Sequence, residues 1–156
     1  MDEPVLRLTH VQVQFGAGRV RAVDTVSLEV GRGEVVALVG ESGCGKTTLI
    51  RAVVGLEPLA HGSISVEGTP VTKGRGLRAV RRRAQMIFQD PTGALNPRHS
   101  IYEAVAEGLR IHKVQGDEAA LVSEALASAG LRPPERYLRR FPHELSGGQR
   151  QRVLIA

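Results

Sequence analysis

The eight residues Gly40-Glu41-Ser42-Gly43-Cys44-Gly45-Lys46-Thr47 constrain this chain more than any other stretch. They match in full a pattern of two glycines, a lysine and a hydroxyl residue at the spacing that wraps a phosphate chain. Their context agrees. Val35-Val36-Ala37-Leu38-Val39 is a short apolar run rich in β-branched residues, which predicts a strand buried on both faces. Thr48-Leu49-Ile50-Arg51-Ala52-Val53-Val54 has apolar residues at helical spacing, and Gly55 is its stop. Strand, glycine loop and helix are in the order that such a cradle requires.

The chemistry follows from the residue types. Glycines let the loop curl until successive backbone N–H groups converge, and the following helix adds the positive end of its dipole. Lys46 is then placed to reach the β- and γ-phosphates, the Thr47 hydroxyl to complete a Mg²⁺ shell, and Thr48 to touch the next phosphate. Cys44 is the only cysteine, so neither a disulfide nor a cysteine metal site is available. It reads as a small loop residue, not a nucleophile.

A length of 156 residues predicts one domain, and no segment approaches the apolar length of a membrane span. The opening Met1-Asp2-Glu3-Pro4 lacks the profile of a secretory signal, and with a single thiol this predicts a cytoplasmic protein. The net charge of +5 suits nucleic acid, nucleotide or an acidic membrane surface without choosing among them. Five arginines fall between Arg75 and Arg83, and no aromatic residue is interleaved for stacking. They read as a solvated helix face rather than a nucleic-acid patch.

Alternation predicts strands at Leu6–Phe15, at Val26–Val30 and at Ser63–Glu67, forming one antiparallel sheet beside a parallel core. Ala84 to Gln89 reads as a buried strand, and Thr92 to Pro97 as a loop. Ser100-Ile101-Tyr102-Glu103 is a capping box that starts a helix, and Asp117 caps a second helix that ends at Gly130. A last helix starts at Ser146.

Two motifs therefore stand together: the phosphate loop continued through Thr48, and Leu145-Ser146-Gly147-Gly148-Gln149. With them the chain resembles, over its whole length, the ATP-binding subunit of ABC transporters. Phe88-Gln89-Asp90-Pro91, Leu95-Asn96-Pro97-Arg98 and Phe141-Pro142-His143-Glu144 ahead of the second motif are similar to the dipeptide and oligopeptide importer branch. The fold implied is α/β, of the P-loop NTPase (RecA-like) type. It has a parallel core, an N-terminal antiparallel β lobe and a helical subdomain. Residues 1–90 would form lobe and core, 91–144 the helical subdomain, and 145–156 the start of the signature helix.

The resemblance also implies roles. ATP and Mg²⁺ would be held by Gly40, Glu41, Ser42, Gly43, Cys44, Gly45, Lys46, Thr47 and Thr48, with Thr47 and Gln89 on the metal and Gln89 beside the attacking water. Phe15 matches the aromatic position that stacks on adenine, while its place in the Val11, Val13 alternation also fits a core residue. Leu145, Ser146, Gly147, Gly148 and Gln149 would act on the ATP of a second subunit in a head-to-tail dimer. His143 reads as structural. The other implied partners are transmembrane permease subunits and, indirectly, an extracytoplasmic solute-binding protein, with no nucleic acid. The location implied is the cytoplasmic face of the cell membrane.

In that family an apolar strand ending in Asp-Glu follows the signature helix, and a histidine that contacts the γ-phosphate comes later. The 156 residues stop at Ala156, inside that helix, so the C-terminal part of the core is expected to be missing and the general base with it. The expectation is a chain that binds nucleotide with little or no hydrolysis. A phosphate-loop kinase or GTPase would explain residues 40–47 but not 145–149. A non-transport ABC ATPase shares both motifs but not the importer-like stretch from Gln89 to Arg98. A non-catalytic fragment that pairs with intact subunits would need only the surface from Ser146 to Gln149.

Overall fold

The computed structural model describes residues 3–72, 74–88 and 91–156. Two compact units divide the chain, Met1–Met86 and Ile87–Ala156.

The first unit is built on an antiparallel sheet in the order β2-β1-β3-β4, with β1 at Leu6–Phe15, β2 at Val20–Val30, β3 at His61–Val66 and β4 at Thr69–Pro70. The apolar alternation slips phase between Leu8 and Val11, and the β1–β2 register shifts at that point, where His10 has φ 46. The slip is a β-bulge that returns Val11 and Val13 to the buried face. Helix α1, Lys46–Val53, lays Leu49 and Ala52 on that face against Val11, Val13, Val23 and Ile64. Helix α2, Arg75–Arg83, is anchored by Val80, which is fully buried.

Two expectations fail here. Val35–Val39 forms no strand, and Val35 and Val39 are 95% and 91% exposed. Ala84–Phe88 forms none either, and Ile87 is exposed. A strand of a parallel core takes its ladder from neighbours on both sides. Among the described residues neither segment has such a neighbour, and every strand pairing is antiparallel.

The second unit is helical: α3 at Pro91–Ala94, α4 at Ile101–His112, α5 at Glu118–Ser128, α6 at Glu135–Leu138 and α7 at Gly147–Ile155. Where a loop was expected after Pro91, the chain makes the one turn of α3 before Leu95 drops into the core. Ile101, Val105 and Ala106 of α4 pack with Val122 and Leu126 of α5, with Leu131, and with Leu145 and Val153 at the two ends of the last segment. Asp117 caps α5 through the N–H groups of Ala119 and Ala120. Ser100 caps α4 by accepting from the Glu103 N–H at 3.2 Å. The reciprocal half of that box is absent, because the Glu103 carboxylate binds Arg110 at 2.6 Å instead. Arg110 also holds Glu118 at 2.8 Å, and the Tyr102 hydroxyl donates to the same carboxylate at 2.8 Å. This cluster clasps the start of α5 to α4. Arg110 first, then Tyr102, hold the Glu118 carboxyl down to about 2.

Candidate functional site

Helix α1 begins without a side-chain cap. Its N-cap residue is Gly45, and no acidic residue lies in its first turn. The N–H groups of the first helical turn, from Lys46 to Thr48, therefore have no carbonyl one turn back and no side-chain acceptor. Gly45 is required twice over, since its φ is 93° and a Cβ there would stand 2.0 Å from the Ala22 carbonyl oxygen. The loop is thus pressed edge-on against β2. The Lys46 ammonium folds back inside it and donates to the carbonyls of Gly40 at 2.7 Å and Glu41 at 2.6 Å, with Cys44 Sγ at 3.4 Å. Thr47 is exposed and Thr48 half-buried. Positive charge and uncapped donors meet at one place, an arrangement suited to an anion.

The other end of α1 is held as firmly. Gly55 turns at φ 65, and Leu56 N–H donates to the Arg51 carbonyl at 2.8 Å. Arg81 of α2 donates to the carbonyls of Val54 and Gly55, both at 3.1 Å. A cation therefore sits on the negative end of the helix whose positive end forms the loop. The sequence offered no signal for this contact, because Arg81 lies in a run of arginines that differ only in where the fold puts them.

Phe15 pairs with Val20 at the tip of the β1–β2 ribbon, two residues from the Ala22 that meets Gly45. It is 40% exposed and takes no part in the buried cluster of the sheet. The expected position of Gln89 lies outside the described residues.

The second motif starts with Leu145, buried in the helical core. Ser146 is the N-cap of α7: its Oγ accepts from the Gln149 N–H at 3.3 Å, and its own N–H donates to Gln149 Oε1 at 3.0 Å. Just before it, Glu144 accepts the Phe141 N–H at 2.7 Å, and the Phe141 and His143 rings stack with centroids 5.8 Å apart. Arg152 ties α7 to the end of α5 by donating to the Gly130 carbonyl at 3.1 Å. A Cβ added to Gly147 or Gly148 would meet nothing within 4 Å. Neither glycine has a positive φ. The chain's own packing therefore gives no reason for glycine at the first two helical positions. Small residues there leave the backbone donors bare to an outside group.

The donor set suits a polyphosphate at the first motif. For Mg²⁺, no group of three or more His, Cys, Asp or Glu stands together among the described residues. Bound with a nucleotide, this ion takes phosphate oxygens and waters among its ligands, and Thr47 would offer a hydroxyl beside them. No helix among the described residues is long and apolar enough to cross a membrane.

Comparison with known proteins converges on one family. Residues 23–156 match the family described as ABC transporter. The chain is 43% identical over 160 residues to the oligopeptide transport ATP-binding protein OppF of Streptococcus mutans, covering 97% of this chain and 51% of that protein. It is also 43% identical over 168 residues to the dipeptide transport ATP-binding protein DppF of Lactococcus lactis, covering all of this chain and 53% of that protein. The chain thus spans about half the length of the curated relatives that it matches. Among solved structures, a dimeric ATP-binding cassette in a post-hydrolysis state with ADP and Pi superposes with a TM-score of 0.82 at 27% identity, over 96% of this chain and 67% of that one. The cbiO1 subunit of a Clostridium perfringens ABC transporter complex gives 0.76 at 26%, over 99% and 60%. The fold is that of these P-loop ATPase domains, and the chain belongs to the ABC transporter family.

Proposed function

We propose that the chain binds ATP with Mg²⁺ at residues 40–48 and acts as the ATP-binding subunit of an importer of peptides or similar small solutes. The observation that carries this reading is a pair of glycine-bearing helix starts, α1 without a side-chain cap and α7 capped by Ser146. One has Lys46 folded inside its loop, and the other has Gly147 and Gly148 open to solvent. In this reading the N–H groups of the α1 start and the Lys46 ammonium take the β- and γ-phosphates, releasing Lys46 from the Gly40 and Glu41 carbonyls. Thr47 supplies the hydroxyl to Mg²⁺, and Gln89 the second contact. Bound Mg²⁺ would neutralise charge on the β- and γ-phosphate oxygens. Phe15, at the ribbon tip beside the loop, stacks on the adenine.

Ser146, Gly147 and Gly148 face the phosphate bound by another copy, head to tail. The Ser146 oxygen already accepts from Gln149, so its hydroxyl proton is free to be donated outward. The oligopeptide and dipeptide transport relatives support the importer reading. Permease subunits at the cytoplasmic face of a membrane, fed by an extracytoplasmic binding protein, are the partners it requires.

A mixing experiment tests the arrangement. Lys46→Ala damages the loop and Ser146→Ala the opposing face, so each variant alone forms only damaged sites. A head-to-tail pair of the two contains one site with both halves intact. MgATP-dependent association, followed by sedimentation velocity, is expected to be weak for each variant and to recover on mixing. No recovery, with association by the unsubstituted chain, would reject the head-to-tail arrangement.

A further inference from the structure

The net charge of the whole chain is +5, and α2 alone accounts for it. Arg75–Arg83 holds five arginines and no acidic residue, and the basic and acidic residues elsewhere cancel one for one. Two of the five are committed to the fold. Arg81 holds the α1 carbonyls, and Arg83 binds Glu67 at 3.4 Å and the Thr69 hydroxyl at 3.2 Å. Glu67 is shared with Arg32 at 3.1 Å, so one carboxylate serves two guanidinium groups and leaves a positive excess. Leu77, Val80 and Arg81 form the face of α2 turned to the rest of the unit. Arg78 and Arg82, one turn apart on the other side, are exposed and pair with no carboxylate among the described residues.

We propose that this outward face of α2, centred on Arg78 and Arg82 and flanked by Arg32 and Arg83, attaches the chain to anionic phospholipid headgroups. The proposal rests on the reading above only in placing the chain beside a membrane. Its physical basis is the localisation of charge: guanidinium groups side by side on an exposed helix face match a diffuse anionic surface better than a single bound anion. Nucleic acid fits less well, because residues 31–86 contain no Phe, Tyr or Trp on which a base could stack.

The test is co-sedimentation of the purified chain with phosphatidylcholine vesicles, with and without phosphatidylglycerol. Binding is expected only to the anionic vesicles and is expected to fall steeply with salt. Arg78→Gln with Arg82→Gln should weaken it by about tenfold or more, whereas Arg136→Gln with Arg139→Gln, an equal loss of charge elsewhere, should change it far less. Equal losses from both pairs, or no binding to anionic vesicles, would overturn the proposal. So would binding to single-stranded RNA in place of vesicles. MgATP binding by the same protein is measured separately. Vesicle binding without nucleotide binding would refute the ATP-site reading and uphold the lipid surface.

Discussion

Ser146 and Gln149 are locked to each other by two reciprocal hydrogen bonds, Ser146 N–H to Gln149 Oε1 at 3.0 Å and Gln149 N–H to Ser146 Oγ at 3.3 Å. The side-chain carbonyl of Gln149 is therefore occupied in holding the helix start. The Ser146 hydroxyl keeps its proton for another acceptor.

Loss of either half of this box should cost about 1 kcal/mol of stability. Ser146→Ala and Gln149→Met are expected to lower the urea midpoint of the helical unit by corresponding amounts. Gln149→Glu retains an acceptor for the Ser146 N–H and should be close to neutral. Equal losses from Glu and Met would mean that the box does not stabilise α7.

At Gly147 and Gly148, stability and function should move in opposite directions. Nothing lies within 4 Å of an added Cβ. Alanine should therefore stabilise α7, by up to about 1 kcal/mol at each position. The same substitutions should weaken MgATP-dependent association if, as proposed, the phosphate held by a second copy approaches this helix start. Unfolding curves and sedimentation on the same samples give both signs.

Gly45→Ala should behave differently. The methyl would collide with the Ala22 carbonyl oxygen at 2.0 Å and would have to be carried at φ 93. Such strain costs on the order of 1–3 kcal/mol before any collision with β2 is added. A fall in urea midpoint, together with loss of nucleotide binding, is the expected result.

Acid should loosen the α4–α5 clasp. The Glu118 carboxyl is depressed by Arg110 and then Tyr102, so its contribution is complete above the unfolded carboxylate value of about 4.3 and is lost as pH falls toward about 2. Glu118→Gln should therefore be less stable than the unsubstituted chain at neutral pH, and the difference should shrink across that window. A difference independent of pH down to 2 would mean that the ion pair contributes nothing.

Local signals carried much of this structure. The caps at Asp117 and Ser146 were legible because a short polar side chain and the N–H groups it satisfies lie within three residues of one another. The antiparallel sheet was legible in its alternation, whereas the bulge at His10 emerged only with the β1–β2 register. The readings that failed depended on partners distant in the chain. Val35–Val39 has the composition of a central strand, but composition does not supply the neighbouring ladder. At Ser100 the box was half realised because Arg110, a competitor seven residues beyond Glu103, took the carboxylate. The same limit hid the Arg81 clamp on α1 and the contact between Gly45 and Ala22. Residue identity marked the phosphate loop, but only the fold shows why Gly45 admits no substitute.

The most direct test of the account is calorimetric titration of MgATP into the purified chain and into its Lys46→Ala variant. Because the ammonium already lies folded inside the loop, on the Gly40 and Glu41 carbonyls, the account predicts saturable binding by the unsubstituted chain. The substitution should weaken that binding by at least about tenfold, or about 1.4 kcal/mol. Equal affinity for both proteins, or no saturable binding by the unsubstituted chain, would contradict the assignment of residues 40–48 as the nucleotide site.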